Sequence, residues 1–119
     1  MTTFEFLRHE PVIREYKKGQ IIFKEGDPDS ERMFAVLEGV IEIQIGANTV
    51  ERVQPVHVFG EMALIEQRPR SATAIAAVDS RIAVIDKKRF LRLVEQTPHF
   101  ALNMMHVISE RLRRATAHS

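Results

Sequence analysis

Short stretches rich in β-branched and aromatic residues alternate with turn residues from Val12 to Asp86. The clearest alternation lies in Val40–Ile45, where every second residue is isoleucine and would lie on one face of a strand. The connections between these stretches are short and leave little room for crossover helices, so we expect an antiparallel sandwich, barrel or β-roll. The predicted strands are Val12–Tyr16, Gln20–Lys24, Arg32–Glu38, Val40–Ile45, Thr49–Gln54, Thr73–Asp79 and Arg81–Asp86.

Helical patterns interrupt and follow this β-rich body. Good helix formers fill Glu61–Glu66, which is long enough for one or two turns. Asp86 can cap a further helix, which stops at Thr97-Pro98, where the last helix begins. The apolar positions of these two helices are Phe90, Leu91, Leu93 and Val94, followed by Ala101, Met104, Met105, Ile108 and Leu112 at helical spacing.

The pattern as a whole predicts one domain that covers residues 1–119. A short helix, capped by Thr3 and with Phe4 and Leu7 on its apolar face, precedes a β-roll over about residues 12–86. C-terminal helices cover about residues 87–114. The fold class is therefore mainly β with flanking α-helices: an antiparallel double-stranded β-helix, also called a β-roll or jelly roll, with C-terminal helices.

The composition is that of an average globular domain, with 119 residues, 45% hydrophobic and 28% charged. A formal net charge of +1 gives no general attraction to nucleic acid or to an anionic membrane. The chain has no cysteine, and no apolar run approaches the roughly 20 residues of a membrane span. Its first residues lack the basic-then-apolar order of a secretion signal. We expect a cytoplasmic protein with no membrane span and no nucleic-acid partner.

The stretch 59–73 carries the most informative chemistry. Gly60 allows the backbone to approach a ligand closely or to adopt a positive φ. The turn that follows presents the N–H groups of Met62 and Ala63 at a helix start, where an anion is favoured. Arg70 offers a planar guanidinium that matches the oxygens of a phosphate.

Glu61 adds a hydrogen-bond acceptor for neutral hydroxyls such as those of a ribose, so a small phosphorylated sugar would use all these groups together. Each residue also has an ordinary structural explanation when it is taken alone. Glu61 favours a helix N-terminus, and Arg70 can pair with Glu66 or lie in solvent. Their order within a β-rich domain is what favours the binding site.

This stretch closely resembles the phosphate-binding cassette of cyclic nucleotide-binding domains. Such domains occur in bacterial catabolite-activator-type regulators, in regulatory subunits of cyclic-nucleotide-dependent kinases and in gated channels. The family pattern is Phe-Gly-Glu, small or apolar residues, a short loop, and then Arg, a small residue, Ala and Thr or Ser. The resemblance covers nearly the whole chain and is carried by Phe59-Gly60-Glu61, Met62–Ile65, Pro69–Thr73, Tyr16–Asp27, Met33–Ile43 and Phe90 with the two helices after it, which look like the family's hinge and lid helix.

The resemblance implies a role for each cassette residue. Arg70 would form an ion pair with the cyclic phosphate, and Glu61 would accept a hydrogen bond from the ribose 2′-hydroxyl. The backbone N–H groups of Met62 and Ala63 would donate to the phosphate, as would the hydroxyl or backbone of Ser71. The glycine before Glu61 would let the chain turn against the sugar. The implied ligand-binding residues are Gly60, Glu61, Met62, Ala63, Arg70 and Ser71.

The implied ligand is cAMP, which Ser71 favours, with cGMP as the other candidate and no cofactor. The family often has Gly-Asp or Gly-Glu shortly before Phe-Gly-Glu, whereas this chain has Pro55–Val58, which puts the local turn in question. Candidates for capping the base lie on the last helix, within Met104–Arg111.

The resemblance implies a regulatory module whose helices from Lys87 onward move when nucleotide binds. A second copy of the chain or an effector protein would then meet Met104, Ile108 and Leu112 of the last helix. The main alternative is an interaction module with the same fold that no longer binds nucleotide.

Two further classes are less consistent with the sequence. The chain shows no catalytic constellation and no histidine pair at metal-ligand spacing, so we expect neither enzyme activity nor a metal site. A small-barrel enzyme of the cupin kind would need clustered histidines on facing strands. A DNA-binding regulator would need sequence beyond Ser119 or contacts through Arg111, Arg113 and Arg114, which we interpret as a solvated helix end. The sequence leaves open whether the chain is a full protein or part of one.

Overall fold

The structure, a computed structural model, describes residues 4–117 of the chain. Within those residues, eight strands and three α-helices follow a short 3-10 helix. In chain order, the elements are the 3-10 helix Glu5–His9, β1 (Ile13–Tyr16), β2 (Ile21–Phe23), β3 (Arg32–Glu38), β4 (Ile41–Ile45), β5 (Asn48–Val53), β6 (Val58–Phe59), α1 (Glu61–Glu66), β7 (Thr73–Ala76), β8 (Ser80–Asp86), α2 (Lys87–Gln96) and α3 (Pro98–Ala117).

The strands form two four-stranded sheets with the orders β1-β8-β3-β6 and β2-β7-β4-β5, and the neighbouring strands are antiparallel. The predicted antiparallel β-roll with C-terminal helices is thus confirmed. The sequence misses β6, because two residues are too few to show an alternation. Both are buried, and they pair with Phe34 and Ala35 of β3. The prediction that the strand beginning at Thr73 continues to Asp79 is also wrong, since β7 ends at Ala76.

β3 is apolar from Met33 to Leu37 without alternation because both of its faces are buried. Phe34 and Val36 pack in a core formed with the second sheet. Met33, Ala35 and Leu37 point the other way, into a second core shared with the helices. A strand covered on both faces is expected to have a continuous apolar sequence.

The predicted start of α2 is confirmed. The carboxylate of Asp86 accepts a hydrogen bond from the backbone N–H of Arg89 at 2.7 Å. Leu93 is buried and Phe90 is partly buried, as expected, but Leu91 is 55% exposed. Leu91 lies about 100° around the helix from Phe90 and faces outward.

The predicted apolar face of α3 divides into two. Met104 is only 2% exposed and packs in the core with Phe100, whereas Met105 and Leu112 are 62% and 67% exposed. Successive helical residues turn by about 100°, so Met104 and Met105 cannot both face the core. One stripe of α3 therefore anchors the helix, and a neighbouring stripe faces outward.

The N-terminal segment packs against the C-terminal helices. Leu7, in the 3-10 helix, and Phe4, the residue before that helix, are buried as predicted, while Thr3, the expected cap, lies outside the described residues. The ring of Phe100 meets the rings of Phe4, Phe6 and Phe90 edge to face, with centroids 5.6–6.2 Å apart. The first and last elements of the chain thus form one layer over the first sheet.

A buried ion pair fastens the same layer. Glu10, 5% exposed, accepts two hydrogen bonds of 2.8 Å from the guanidinium of Arg89. The hydrogen bond to Glu10 raises the pKa of Arg89 above its ordinary value. The segment before β1 is therefore tied to α2, immediately after the last strand.

Gly39 offers a direct test of this packing. A Cβ built on Gly39 would lie 2.1 Å from Ser80 Oγ and 2.7 Å from the carbonyl oxygen of Asp79, whereas one on Gly46 would meet nothing within 4 Å. Both glycines have positive φ. We expect Gly39→Ala to lower the free energy of unfolding by about 3 kcal/mol, and Gly46→Ala by about 1 kcal/mol, measured by urea denaturation. Equal losses in the two variants would show that the close contact between Gly39 and β8 is not needed.

Candidate functional site

Gly60 sets the geometry at the start of the site. Its φ of 78° lies in the left-handed region, and α1 begins at the next residue. A Cβ on Gly60 would lie 3.0 Å from Arg70 Nη1 and 3.1 Å from the ring of Phe34. Glycine is therefore required here both by the backbone angle and by the close approach of Arg70.

Two backbone hydrogen bonds position Arg70 against the turn between β2 and β3. The N–H of Gly26 donates to the carbonyl of Arg70 at 2.8 Å, and the N–H of Arg70 donates to the carbonyl of Asp27 at 2.9 Å. This ladder directs the Arg70 side chain into the domain, where it is 3% exposed. Its guanidinium lies over the ring of Phe23, 4.3 Å from the centroid.

The guanidinium of Arg70 is only partly satisfied. Nη1 donates to the carbonyl of Gly60 at 2.9 Å, and Nη2 donates to the carbonyl of Arg32 at 2.7 Å. Nε is buried and has no hydrogen-bond partner in the structure. Burial lowers the pKa of Arg70 from its ordinary value, because the charged form loses hydration. The site thus contains a buried cation with a donor still to be used.

Glu61, the first residue of α1, is 1% exposed. Its Oε2 forms an ion pair with Nη1 of Arg111, which reaches in from α3, while Oε1 is buried without a hydrogen-bond partner. Arg111 also donates to Glu51 Oε2 at 2.9 Å and to the carbonyl of Val58 at 2.7 Å. Burial opposes the charge of Arg111, but the two carboxylates more than offset it and raise its pKa.

These groups surround a cavity of about 140 Å³. A larger cavity of about 680 Å³ lies between β5, the β5–β6 turn and α3. Glu51 and Arg111 line both cavities, so the two side chains form part of the wall between them. All six predicted ligand-binding residues line the small cavity: Gly60, Glu61, Met62, Ala63, Arg70 and Ser71.

The alternative pairing of Arg70 with Glu66 is not what the structure shows. Arg70 donates to backbone carbonyls instead, and Glu66 is exposed. The first turn of α1 has no side-chain cap, so no side chain satisfies the N–H groups of Met62 and Ala63 from the Gly60 position. Both residues line the small cavity together with Arg70.

Sequence reasoning missed Glu51 and misread Arg111. Arg111 is 20% exposed at its side chain rather than solvated, because its helix position continues the buried stripe of Met104 and Val107. The spacing of three and four residues among these positions was the available signal. Nothing local marked Glu51, because β5 is an exposed strand for most of its length. Of the predicted base-capping range on the last helix, only Arg111 lines the small cavity.

The turn before the cassette, which departs in sequence from the family pattern, is held by hydrogen bonds to β3. Val56 has a φ of 65°, which is unusual for a β-branched residue and costs about 1–3 kcal/mol. Its N–H donates to the carbonyl of Val36 at 2.8 Å, and the N–H of Val36 donates to the carbonyl of His57 at 2.9 Å. These hydrogen bonds to β3 hold the strained turn in position. β6 follows the turn and positions Gly60 at the start of α1.

Residues 13–97 match the family model of the cyclic nucleotide-binding domain. The chain belongs to the cyclic nucleotide-binding domain family, the class of protein that the β-roll and its cassette define. Within residues 4–117, no three histidine or acidic side chains group as metal ligands would. No helix in the same part of the chain has the length and apolar character needed to cross a membrane.

Three curated relatives are 29%, 30% and 33% identical in sequence to this chain over the aligned residues. The chain is 30% identical over 107 residues to the Cyclic AMP receptor protein of Thermus thermophilus, covering 86% of this chain and 49% of that protein. The crystal structure of the Thermus thermophilus Catabolite Activator Protein superimposes with a TM-score of 0.81 at 29% identity, over 89% of this chain and 52% of that one. The chain spans about half or less of the length of the first curated relatives it matches.

A further solved structure comes from work on a cyclic-GMP-dependent signalling pathway that regulates bacterial phytopathogenesis. It has a TM-score of 0.75 and 30% identity, and the alignment covers 95% of this chain and 90% of that one. The fold is therefore shared with a chain of nearly the same extent.

Replacing Arg111 tests the buried ion pair. Arg111→Met would leave the Glu61 carboxylate buried without its cation, and we expect it to lower the free energy of unfolding by about 3 kcal/mol. Adding Glu61→Gln should recover part of that loss, because a neutral amide is less costly to bury. The matched control is Arg113→Met, on the exposed side of the same helix, with a change within about 0.5 kcal/mol. Glu61→Gln alone completes the double-mutant cycle, and urea denaturation measures each of these proteins. Additive losses from the two changes would contradict a direct pairing.

Proposed function

We propose that this domain is a regulatory module that binds a cyclic nucleotide, with cAMP as the preferred ligand and cGMP as the other candidate. The observation that supports this function best is that two residues lining the small cavity, Arg70 and Glu61, each have a buried side-chain atom without a hydrogen-bond partner: Arg70 Nε and Glu61 Oε1. Buried polar atoms are nearly always hydrogen-bonded, so an unused donor and an unused acceptor on two residues of the same cavity favour a ligand that engages both side chains.

A ribose cyclic phosphate has the groups that these atoms require. Its phosphate carries one negative charge for the Arg70 guanidinium and accepts hydrogen bonds from the N–H groups of Met62 and Ala63 and from Ser71. Its 2′-hydroxyl donates to Glu61. Hydrogen bonds to charged groups contribute about 1.5–3 kcal/mol each, so this set is sufficient for a specific complex.

The preference for cAMP rests on Ser71, after the cassette arginine, and on relatives such as the Thermus thermophilus Cyclic AMP receptor protein. The neighbour from a cyclic-GMP-dependent pathway keeps cGMP as the second candidate. In either case the role is regulatory, and we assign no catalytic step to the residues of this chain.

The output of binding passes through the C-terminal helices. Arg111 connects α3 directly to Glu61, so a nucleotide that engages Glu61 changes the free energy of α3 in its present position. The ligand shifts the population of helix positions only by the difference between its affinities for them. We therefore propose that α2 and α3 change position when nucleotide binds, in the way that the family resemblance implies.

The outward stripe of α3 is the surface that such a movement would change. It consists of Ala101, Met105, Ile108 and Leu112, at successive spacings of four, three and four residues. This is the apolar repeat of a two-stranded coiled coil, which favours a second copy of the same helix as the partner. Met104, which the sequence had assigned to this surface, faces the core instead.

One observation favours the interaction module that has lost its ligand. The Arg70 Nη atoms are already bonded to the carbonyls of Gly60 and Arg32, and the cavity of about 140 Å³ is smaller than a usual ligand pocket of about 300–1,000 Å³. In that case the exchange of these bonds for a phosphate would not be favourable. The titration below separates the two functions.

Arg70 is the residue whose loss should affect nucleotide binding most. In protein shown to be free of carried-over nucleotide, calorimetric titration with cAMP and cGMP should give micromolar or tighter binding. Arg70→Ala should weaken it by well over tenfold, because a charged hydrogen-bonding partner of the phosphate is lost. Arg70→Lys keeps the charge but loses the planar fork, and Arg68→Ala, on the exposed loop, is the matched control. Melting temperatures of the variants identify any general loss of folding. Absence of binding to the unaltered protein would overturn the nucleotide function and favour the interaction module.

Self-association through α3 can be tested by measuring the molecular mass of the protein in solution. We expect sedimentation equilibrium to give twice 13.7 kDa for the unaltered protein. Met105→Glu should return it to a monomer, because like charges would face each other along the stripe. Leu91→Glu, an equivalent change at an exposed position of α2, should leave the dimer intact. A monomer at every concentration would contradict self-association and point to a different effector protein.

A further inference from the structure

The wall between the two cavities contains a carboxylate that the proposed phosphate and ribose contacts do not use. Glu51, on β5, is 23% exposed at its side chain and lines both cavities. Its Oε2 accepts a hydrogen bond from Arg111 at 2.9 Å, and the same guanidinium binds Glu61. Glu51 is therefore separated from the proposed ribose acceptor by a single guanidinium group.

The chemistry of a nucleotide determines what would lie beside Glu51. The 2′-hydroxyl is on C2′ of the ribose, and the base is on the adjacent carbon C1′. The residue that binds the 2′-hydroxyl, Glu61, is therefore the cassette residue nearest to the base. Beyond Glu61, the charged side chains that line the small cavity outside the cassette are Glu51 and Arg111. A base that extends toward the larger cavity would meet both of them.

We propose that Glu51 is a specificity-determining residue that increases the affinity for guanine relative to adenine. This inference rests on the proposed binding of a cyclic nucleotide. Guanine presents the N1–H and the 2-amino group side by side as donors, which match the acceptor-only carboxylate of Glu51. Its O6 and N7 are acceptors, whereas Arg111 carries five N–H donors and no acceptor.

Adenine fits the same pair less well. Its N1 is an acceptor and would face the carboxylate of Glu51, and it has no amino group at position 2 and no oxygen at position 6. An acceptor placed against a carboxylate leaves both groups without a donor, which disfavours the wrong base. Glu51 thus counteracts the preference for cAMP that Ser71 favours, and the balance of the two residues determines the selectivity of the domain.

The ratio of the cGMP and cAMP affinities, measured on the same protein, tests whether Glu51 selects the base. The unaltered protein and Glu51→Gln are titrated calorimetrically with cAMP, cGMP and cyclic IMP, which has the N1–H and O6 of guanine but no 2-amino group. We expect Glu51→Gln to weaken cGMP by about tenfold relative to cAMP, and cyclic IMP by less. The matched control is Glu42→Gln, because Glu42 lies on the adjacent strand, pairs with Arg52 at 2.7 Å and does not line the small cavity.

The results distinguish a failure of base recognition by Glu51 from a failure of nucleotide binding by the domain. An unchanged ratio of the cGMP and cAMP affinities in Glu51→Gln would overturn the recognition of the base by Glu51. If both affinities fall by the same factor, Glu51 acts only through Arg111 on the site as a whole. If neither affinity changes, Glu51 has no part in binding, although nucleotide binding itself is confirmed. If neither nucleotide binds the unaltered protein, the proposed function fails, and the inference about Glu51 fails with it.

Discussion

The buried ion pair between Glu61 and Arg111 connects the ligand site to the last helix. Glu61 begins α1 inside the β-roll, and its cation comes from α3, at a separation of 50 residues in sequence. A carboxylate that is 1% exposed is very costly to ionise unless a partner compensates for its lost hydration. The position of α3 and the geometry of the cassette are therefore not independent. A change in what Glu61 binds is also a change in what holds the helix.

The rest of the fold prepares the two ends of this connection. At one end, Gly60 adopts a backbone angle that other residues avoid, and its lack of a side chain lets Arg70 approach the turn. At the other end, the rings around Phe100 and the ion pair of Glu10 with Arg89 hold α2 and α3 against the first sheet. Arg111 thus reaches the cavity from a packed layer, so a displacement of α3 must also disturb that packing.

How much the sequence predicts depends on how local the physical signal is. The 59–73 stretch and the Asp86 cap are local patterns: the six candidate residues of the stretch line one cavity, and the cap forms as expected. β6 is too short for a periodic signal, and hydrophobicity alone does not show that Leu91 is exposed. The helical spacing of Arg111 from Met104 and Val107 indicates that Arg111 faces inward. What it binds there, and the role of Glu51, depend on contacts between distant elements, which no spacing within one element can show.

The distribution of charge around the small cavity explains why an anion would bind at Arg70 and not at Arg111. Two cations and two carboxylates line the cavity, but both carboxylates, Glu51 and Glu61, are bound to Arg111. Arg70 is hydrogen-bonded to backbone carbonyls, and the nearby Asp29 is already paired with Arg32. A phosphate beside Arg111 would face two negative charges at short range. Arg70 feels the charges of Asp27, Asp29 and Glu61 but forms no direct ion pair in the part of the chain that the structure describes. A phosphate beside Arg70 would form that ion pair, an arrangement that favours both partners electrostatically.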